Sequence, residues 1–128
     1  MQSMIFGIGT DIVEVARIKA SIEEFGDAFA QRILAESELP SYQASGIKAR
    51  FLAKRFAAKE AFSKALGTGL RAPATLQNIA VSHDELGKPL LILAPELQSL
   101  LAAKNIKNMH ISISDEKNLA AAFVVLET

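Results

Sequence analysis

The chain has no cysteine, no tryptophan, one tyrosine and two histidines among its 128 residues. Without cysteine there can be no disulfide, no thiolate nucleophile and no cysteine-ligated metal. The absence fits a reducing cytoplasm. With so few histidines, zinc and copper sites are poorly supplied as well. Neither sign of charge is in excess, because 14 basic and 14 acidic residues balance. A broad positive field for nonspecific nucleic-acid binding is therefore missing. No run approaches the roughly 18 apolar residues that span a bilayer. The N-terminal stretch Met1-Gln2-Ser3-Met4-Ile5-Phe6-Gly7 carries no basic leader, and Asp11 interrupts its apolar run. The chain reads as soluble and unprocessed, with neither nucleic acid nor membrane as partner.

What is present is apolar mass, 50% of residues, of which little is aromatic. The length fits one domain over residues 1–128, and folding at this size buries roughly two-thirds of the unfolded surface. Ala, Ile and Leu must fill the core. Residues 4–9 form a short apolar segment that suggests a buried strand, followed by Thr10-Asp11 as a helix start. Ile12, Val15, Ala16, Ile18 and Ile22 then share one helical face up to the breaker Gly26. Residues 27–46 suggest short helical turns divided by Pro40. Residues 47–66 predict the strongest helix, free of internal Gly and Pro and stopped by Gly67. Strands are expected over 76–82 and 89–93 as a hairpin, over 109–114, and over 119–126. A short helix opens at Pro95. The pattern gives an α+β domain, helices packed on an antiparallel β-sheet.

Four places can carry chemistry. In Gly7-Ile8-Gly9-Thr10-Asp11-Ile12-Val13-Glu14, Asp11 and Glu14 resemble a capping box, so an ordinary helix start explains them. In the long helix, Glu60 and Lys64 stand four apart and meet on one face. That face is otherwise lined by Ala53, Ala57 and Ala61, small enough to admit something large. Arg55 and Lys59 fall near the apolar side, either snorkelling outward or meeting a buried or bound anion. Gly67-Thr68-Gly69 follows the helix, with Gly67 as its C-cap. His110, Ser112 and Ser114 alternate on one strand face, which reads as solvated rather than as part of a catalytic triad. Carboxylates are plentiful, and a two-acid magnesium site holding a pyrophosphate is the metal chemistry this composition best supports.

Taken together, Gly7-Ile8-Gly9-Thr10-Asp11-Ile12-Val13-Glu14 and Arg55-Phe56-Ala57-Ala58-Lys59-Glu60-Ala61-Phe62-Ser63-Lys64-Ala65-Leu66-Gly67 resemble the two signatures of the phosphopantetheinyl transferases. The short length, Gly87-Lys88-Pro89 and His110-Ile111-Ser112-Ile113-Ser114-Asp115 are similar to the small carrier-protein synthase type. The resemblance runs from the first strand to the last. It implies the phosphopantetheinyl transferase fold and transfer of 4′-phosphopantetheine from coenzyme A to a serine of apo acyl carrier protein, a step of fatty acid biosynthesis. By the same resemblance Asp11 and Glu60 are the Mg2+ ligands, with a water in place of a third acid. Lys64 contacts coenzyme A phosphates and, with Glu60, is assigned to catalysis. Arg55 and Lys59 become phosphate contacts, and Gly67, Thr68 and His110 border the nucleotide. The family type implies a homotrimer with active sites at subunit interfaces, His110 acting across the boundary. Glu60, an activated water and neutral Lys64 all stand as the base. Arg17, Lys19, Arg50 and Lys54 are the expected basic surface for an acidic carrier protein. Two rival readings are a magnesium-dependent pyrophosphate-cleaving hydrolase and a noncatalytic trimeric binding module.

Overall fold

The first strand is longer than its apolar run suggests, because glycine and aspartate continue the alternation. A computed structural model describes residues 3–128; Met1 and Gln2 of the N-terminal stretch read above lie outside the described residues. In β1 (Ile5–Glu14), Gly7, Gly9, Asp11 and Val13 face inward while Ile8, Thr10, Ile12 and Glu14 face out. It pairs antiparallel with β5 (Leu119–Glu127), Gly9 opposite Val124 and Asp11 opposite Ala122. Asp11 thus sits inside a strand, and the helix start expected at Thr10-Asp11 is corrected. Helix α1 (Val15–Phe25) begins after Glu14, and no side chain caps it. The Val15 N–H instead donates to the Asn118 carbonyl at 2.9 Å, so the neighbouring turn sets the helix start. The capping-box pattern failed because the strand ladder satisfied the backbone first. Ile12, assigned to the helical face, is 66% exposed on the strand.

Between α1 and the long helix lie α2 (Asp27–Ile33), a 3-10 turn over Glu36–Glu38, and α3 (Leu39–Ala44). Pro40 stands in the first turn of α3, where its missing N–H costs nothing. Helix α4 (Lys48–Leu66) then crosses the domain. The chain continues through β2 (Ile79–His83), β3 (Pro89–Leu93), α5 (Pro95–Ala103) and β4 (Asn108–Asp115) before closing on β5. One sheet has the order β1-β5-β4, and β2 and β3 form a separate hairpin. All strand pairings are antiparallel, with His83 opposite Pro89 at the hairpin end and Ile111 opposite Val124 in the sheet. Among the described residues no helix is long and apolar enough to cross a membrane.

Helix α4 is the core's axis. Leu52, Phe62 and Leu66 point into one side of the core, and Ala53, Ala57 and Ala61 are buried with them. The small-residue face expected to admit a bound molecule is instead covered by the chain's own β1 and β5. Small meets small there: α4 alanines lie against Gly7 and Gly9 of β1 and Ala120 and Ala122 of β5. A Cβ on Gly9 would overlap the Ala61 carbonyl oxygen and stand 2.7 Å from the Ala65 nitrogen. One on Gly7 would overlap the Ala65 carbonyl oxygen. The requirement at both glycines is a close approach, because a helix backbone occupies the place of a side chain. Elsewhere the core follows the composition: besides Tyr42 and Phe62, its largest fully buried apolar side chains are Leu, Ile and Val.

Among the described residues, no helix layer covers the other side of the three-stranded sheet. Ile8 and Ile12 of β1 and Leu119 and Phe123 of β5 are exposed there, beside His110, Ser112 and Ser114 of β4.

The glycine contact gives a direct test. Gly9→Ala should destabilise the fold by about 3 kcal/mol, the upper end for overpacking against atoms that cannot yield. A thermal melt followed by circular dichroism should show the midpoint falling by roughly 10 °C. An unchanged midpoint would mean the helix can withdraw from the strand at no cost.

Candidate active site

The inward alternation of β1 places Asp11 one step beyond Gly9, where the sheet meets the middle of α4. Its carboxylate is reached from α4 by Lys64, whose Nζ lies 3.1 Å from Asp11 Oδ1 and 3.0 Å from the Thr10 carbonyl oxygen. The ammonium thus bridges helix and strand and bonds to Asp11. Side-chain exposure is 51% for Lys64 and 17% for Asp11, so the pair sits at a rim. Glu60, one turn earlier, shares a cavity of about 480 Å3 with Asp11. Burial first, and then the charge of Asp11, hold the Glu60 carboxyl above its ordinary range, while Lys64 acts the other way. Two carboxylates therefore converge with less positive charge than they need.

The same cavity is walled by Ile18 and Phe29, by Arg17 from α1 and by Phe56 from α4. Sequence reasoning did not place Phe29 or Phe56 at the site. Phe56 could have been found, since it precedes Glu60 by four and shares its side of the helix. Phe29 carried no local signal. Glu14 also borders the cavity, but among the described residues no group of three acids or histidines could hold a metal.

Other expected contacts lie apart from this cavity. Gly67 ends α4 in a left-handed conformation, φ 87°, its N–H donating to the Ser63 and Lys64 carbonyls at 3.0 and 3.1 Å. Thr68 donates its hydroxyl to the Gly69 carbonyl at 2.8 Å. His110 lines a different cavity, of about 360 Å3, with Lys88, Met109 and Phe123; its Nε2 lies 2.5 Å from Glu127 Oε1.

Two assignments are corrected. Lys59 is fully buried and Arg55 nearly so, both paired with Glu38, so neither reaches a phosphate outside. Their place on the apolar side of α4 reflects a buried carboxylate. Arg50 and Lys54 are likewise engaged, at 2.9 and 3.8 Å from Asp115, which leaves Arg17 and Lys19 as the freer basic pair of the expected docking surface.

The family described as the 4′-phosphopantetheinyl transferase superfamily matches residues 7–124. The chain belongs to this superfamily. A transferase-superfamily relative from an Azoarcus species, named holo-(acyl-carrier-protein) synthase, is 58% identical over 125 residues, covering 98% of this chain and 99% of the relative. The crystal structure of the Neisseria meningitidis protein of that name superposes with TM-score 0.95 at 48% identity, covering 98% of this chain and 100% of that one. A Bacillus anthracis holo-(acyl-carrier-protein) synthase, solved in complex with CoA (3′,5′-ADP), superposes with TM-score 0.81 at 41% identity and covers 98% of each chain. The α+β fold and the superfamily expected from the sequence are both borne out.

The Glu60 environment predicts a pH dependence. The folded chain holds the Glu60 proton more tightly than the unfolded chain does, so its ionised form costs stability. That cost is absent below the ordinary carboxylate range and develops as the pH rises through the folded-state transition. Glu60→Gln should raise the metal-free melting temperature by a few degrees at neutral pH, and the gain should vanish in acid. Equal melting temperatures at neutral pH would contradict the assigned environment.

Proposed function

We propose that the chain, acting as one domain over residues 1–128, is a holo-(acyl-carrier-protein) synthase of fatty acid biosynthesis. It transfers 4′-phosphopantetheine from coenzyme A to a serine of apo acyl carrier protein. The observation that carries this reading is the convergence of Asp11 and Glu60 at one cavity, with Lys64 bonded to Asp11, in a chain of this superfamily. The donor set fits magnesium, which takes one or two carboxylates together with waters and phosphate oxygens. The crowding of Asp11 against Glu60 is what a divalent cation relieves. When bound, magnesium neutralises charge on the pyrophosphate.

The chain's own groups account for the rest. The serine oxygen bonds to the β-phosphorus of coenzyme A, the bond from that phosphorus to the bridging oxygen breaks, and 3′,5′-ADP leaves with the electron pair. Lys64, half exposed, is free to turn from Asp11 toward a phosphate and stabilise the charge that develops there. Glu60, an activated water and neutral Lys64 are the candidates to take the serine proton. Ile18, Phe29 and Phe56 offer an apolar wall for the uncharged arm of the substrate. Arg17 at the cavity, with Lys19 farther along α1, gives an acidic carrier protein a basic docking surface.

The active unit is a homotrimer in the cytoplasm. Its support is the uncovered sheet face of Ile8, Ile12, Leu119 and Phe123, which a second copy of the same chain would bury. His110 borders that face and lines a different cavity from Asp11, an arrangement that supports a nucleotide site shared between two copies. Gly67 and Thr68 sit at the α4 terminus, on the Lys64 side of the proposed nucleotide site.

Incubation with apo carrier protein, coenzyme A and Mg2+ should add one phosphopantetheine group to the carrier protein by intact mass. Release of a pyrophosphate-cleavage product without an acceptor would favour the hydrolase reading, and failure to bind coenzyme A the binding module. Asp11→Asn should lower turnover on the order of 100-fold, the scale for losing one charge-stabilising group, while the melting temperature stays near normal. A fully active Asp11→Asn protein with unchanged Mg2+ dependence would exclude the site. Light scattering should report a trimer, and Phe123→Lys should shift it to monomer with loss of activity. An active wild-type monomer would refute the shared site.

A further inference from the structure

Glu38 lies in the 3-10 turn after α2, 3% exposed, and its carboxylate is used entirely inside the protein. Oε1 accepts the Ala35 N–H at 2.9 Å and the Lys59 ammonium at 2.5 Å. Oε2 accepts the Val81 N–H at 3.0 Å and stands 2.9 Å from Arg55 Nε. Lys59 has three donors and three acceptors: Glu38, the Ile33 carbonyl at 2.7 Å and the Leu76 carbonyl at 3.0 Å. Arg55 also donates to the Val81 carbonyl at 3.4 Å. Glu38 and Lys59 together thereby tie the end of α2, the turn before β2, and β2 itself to two positions one turn apart on α4.

Stability does not explain this arrangement. A buried ion pair replaced by apolar side chains of similar size is often as stable or more so. What such a network fixes is geometry, because each ammonium and carboxylate position has a single set of partners. On its opposite side α4 rests backbone to backbone on Gly7 and Gly9. The helix is held from both sides, and a slide or rotation would break the Lys59 cradle or collide with β1. Glu60 is the residue after Lys59, and Phe56 the residue after Arg55, so each tethered position immediately precedes one of the two α4 residues lining the catalytic cavity.

We infer that Glu38 is a positioning residue, holding α4 through Lys59 and Arg55 so that Glu60 stands in metal-binding register with Asp11. The inference rests on the proposed magnesium site. Its test uses the full-length protein with coenzyme A and Mn2+ as a spectroscopic probe, titrated by electron paramagnetic resonance well below the melting temperature. Glu38→Gln keeps the size and hydrogen-bonding oxygen but removes the charge. It should remain folded by circular dichroism and need roughly 10-fold more Mn2+ for half saturation, the lower end for loss of a group supporting metal ligands. kcat should fall while KM for the carrier protein holds. A folded Glu38→Gln protein with wild-type Mn2+ affinity would overturn the inference. Should Glu38→Gln not fold, Lys59→Met answers the same question with the same expected shift. Failure of both to fold would also overturn it, since the network would then serve folding itself. Asp11→Asn separates the two levels. If it abolishes Mn2+ binding while folded Glu38→Gln does not weaken it, only the positioning role fails. If Asp11→Asn binds Mn2+ normally, the metal site fails and takes this inference with it.

Discussion

Everything in this domain depends on the contact between α4 and β1, where a helix backbone meets a strand backbone with no side chain between them. Gly7 and Gly9 supply the absence on the strand, and the Ala61 and Ala65 backbone fills it from the helix. Dense contact of this kind contributes through many small dispersion terms and leaves no slack for displacement. It brings Asp11, the next inward residue of β1, up to the helix that carries Glu60 and Lys64. The glycines of the first motif are therefore needed for packing, and the acids gain their geometry from that packing.

Helix α4 divides its charges between two environments. Arg55 and Lys59 are drawn inside, where burial makes each easier to deprotonate and Glu38 opposes that effect. Lys64 stays at the rim with room to move, and Glu60 lies between. The interior cations are held because the Lys59 ammonium has three acceptors within the protein and the Arg55 guanidinium stands against Glu38 and the Val81 carbonyl. Among the described residues the rim cation bonds to Asp11 and a carbonyl, a pairing in partial solvent that costs little to break. One helix thus offers rigidity on one side and an exchangeable charge on the other.

Local pattern served well where a single period held. The uninterrupted helix before Gly67, the hairpin between β2 and β3 and the alternation of β4 could all be read from spacing. It misled at residues 10–14, where Asp11 and Glu14 imitate a capping box while long-range pairing with β5 extends the strand. It also misled along Ala53, Ala57 and Ala61, since a stripe of small residues looks alike whether it admits a ligand or the chain's own sheet.

The sequence by itself determined the balance of elements, the family through its two motifs, and the exclusion of disulfide and thiolate chemistry that lack of cysteine imposes. These are properties of residue type and short spacing. Only the tertiary structure decided which cations face a carboxylate in the core and which face the cavity. Helical spacing set Arg55 and Lys59 near the apolar side and Lys64 on the other face. It left open what anion the first two meet, and Glu38, which answers this, lies 21 residues before Lys59. A partner that distant leaves no periodic trace near the residues it holds, so the allocation appears only once the chain has folded.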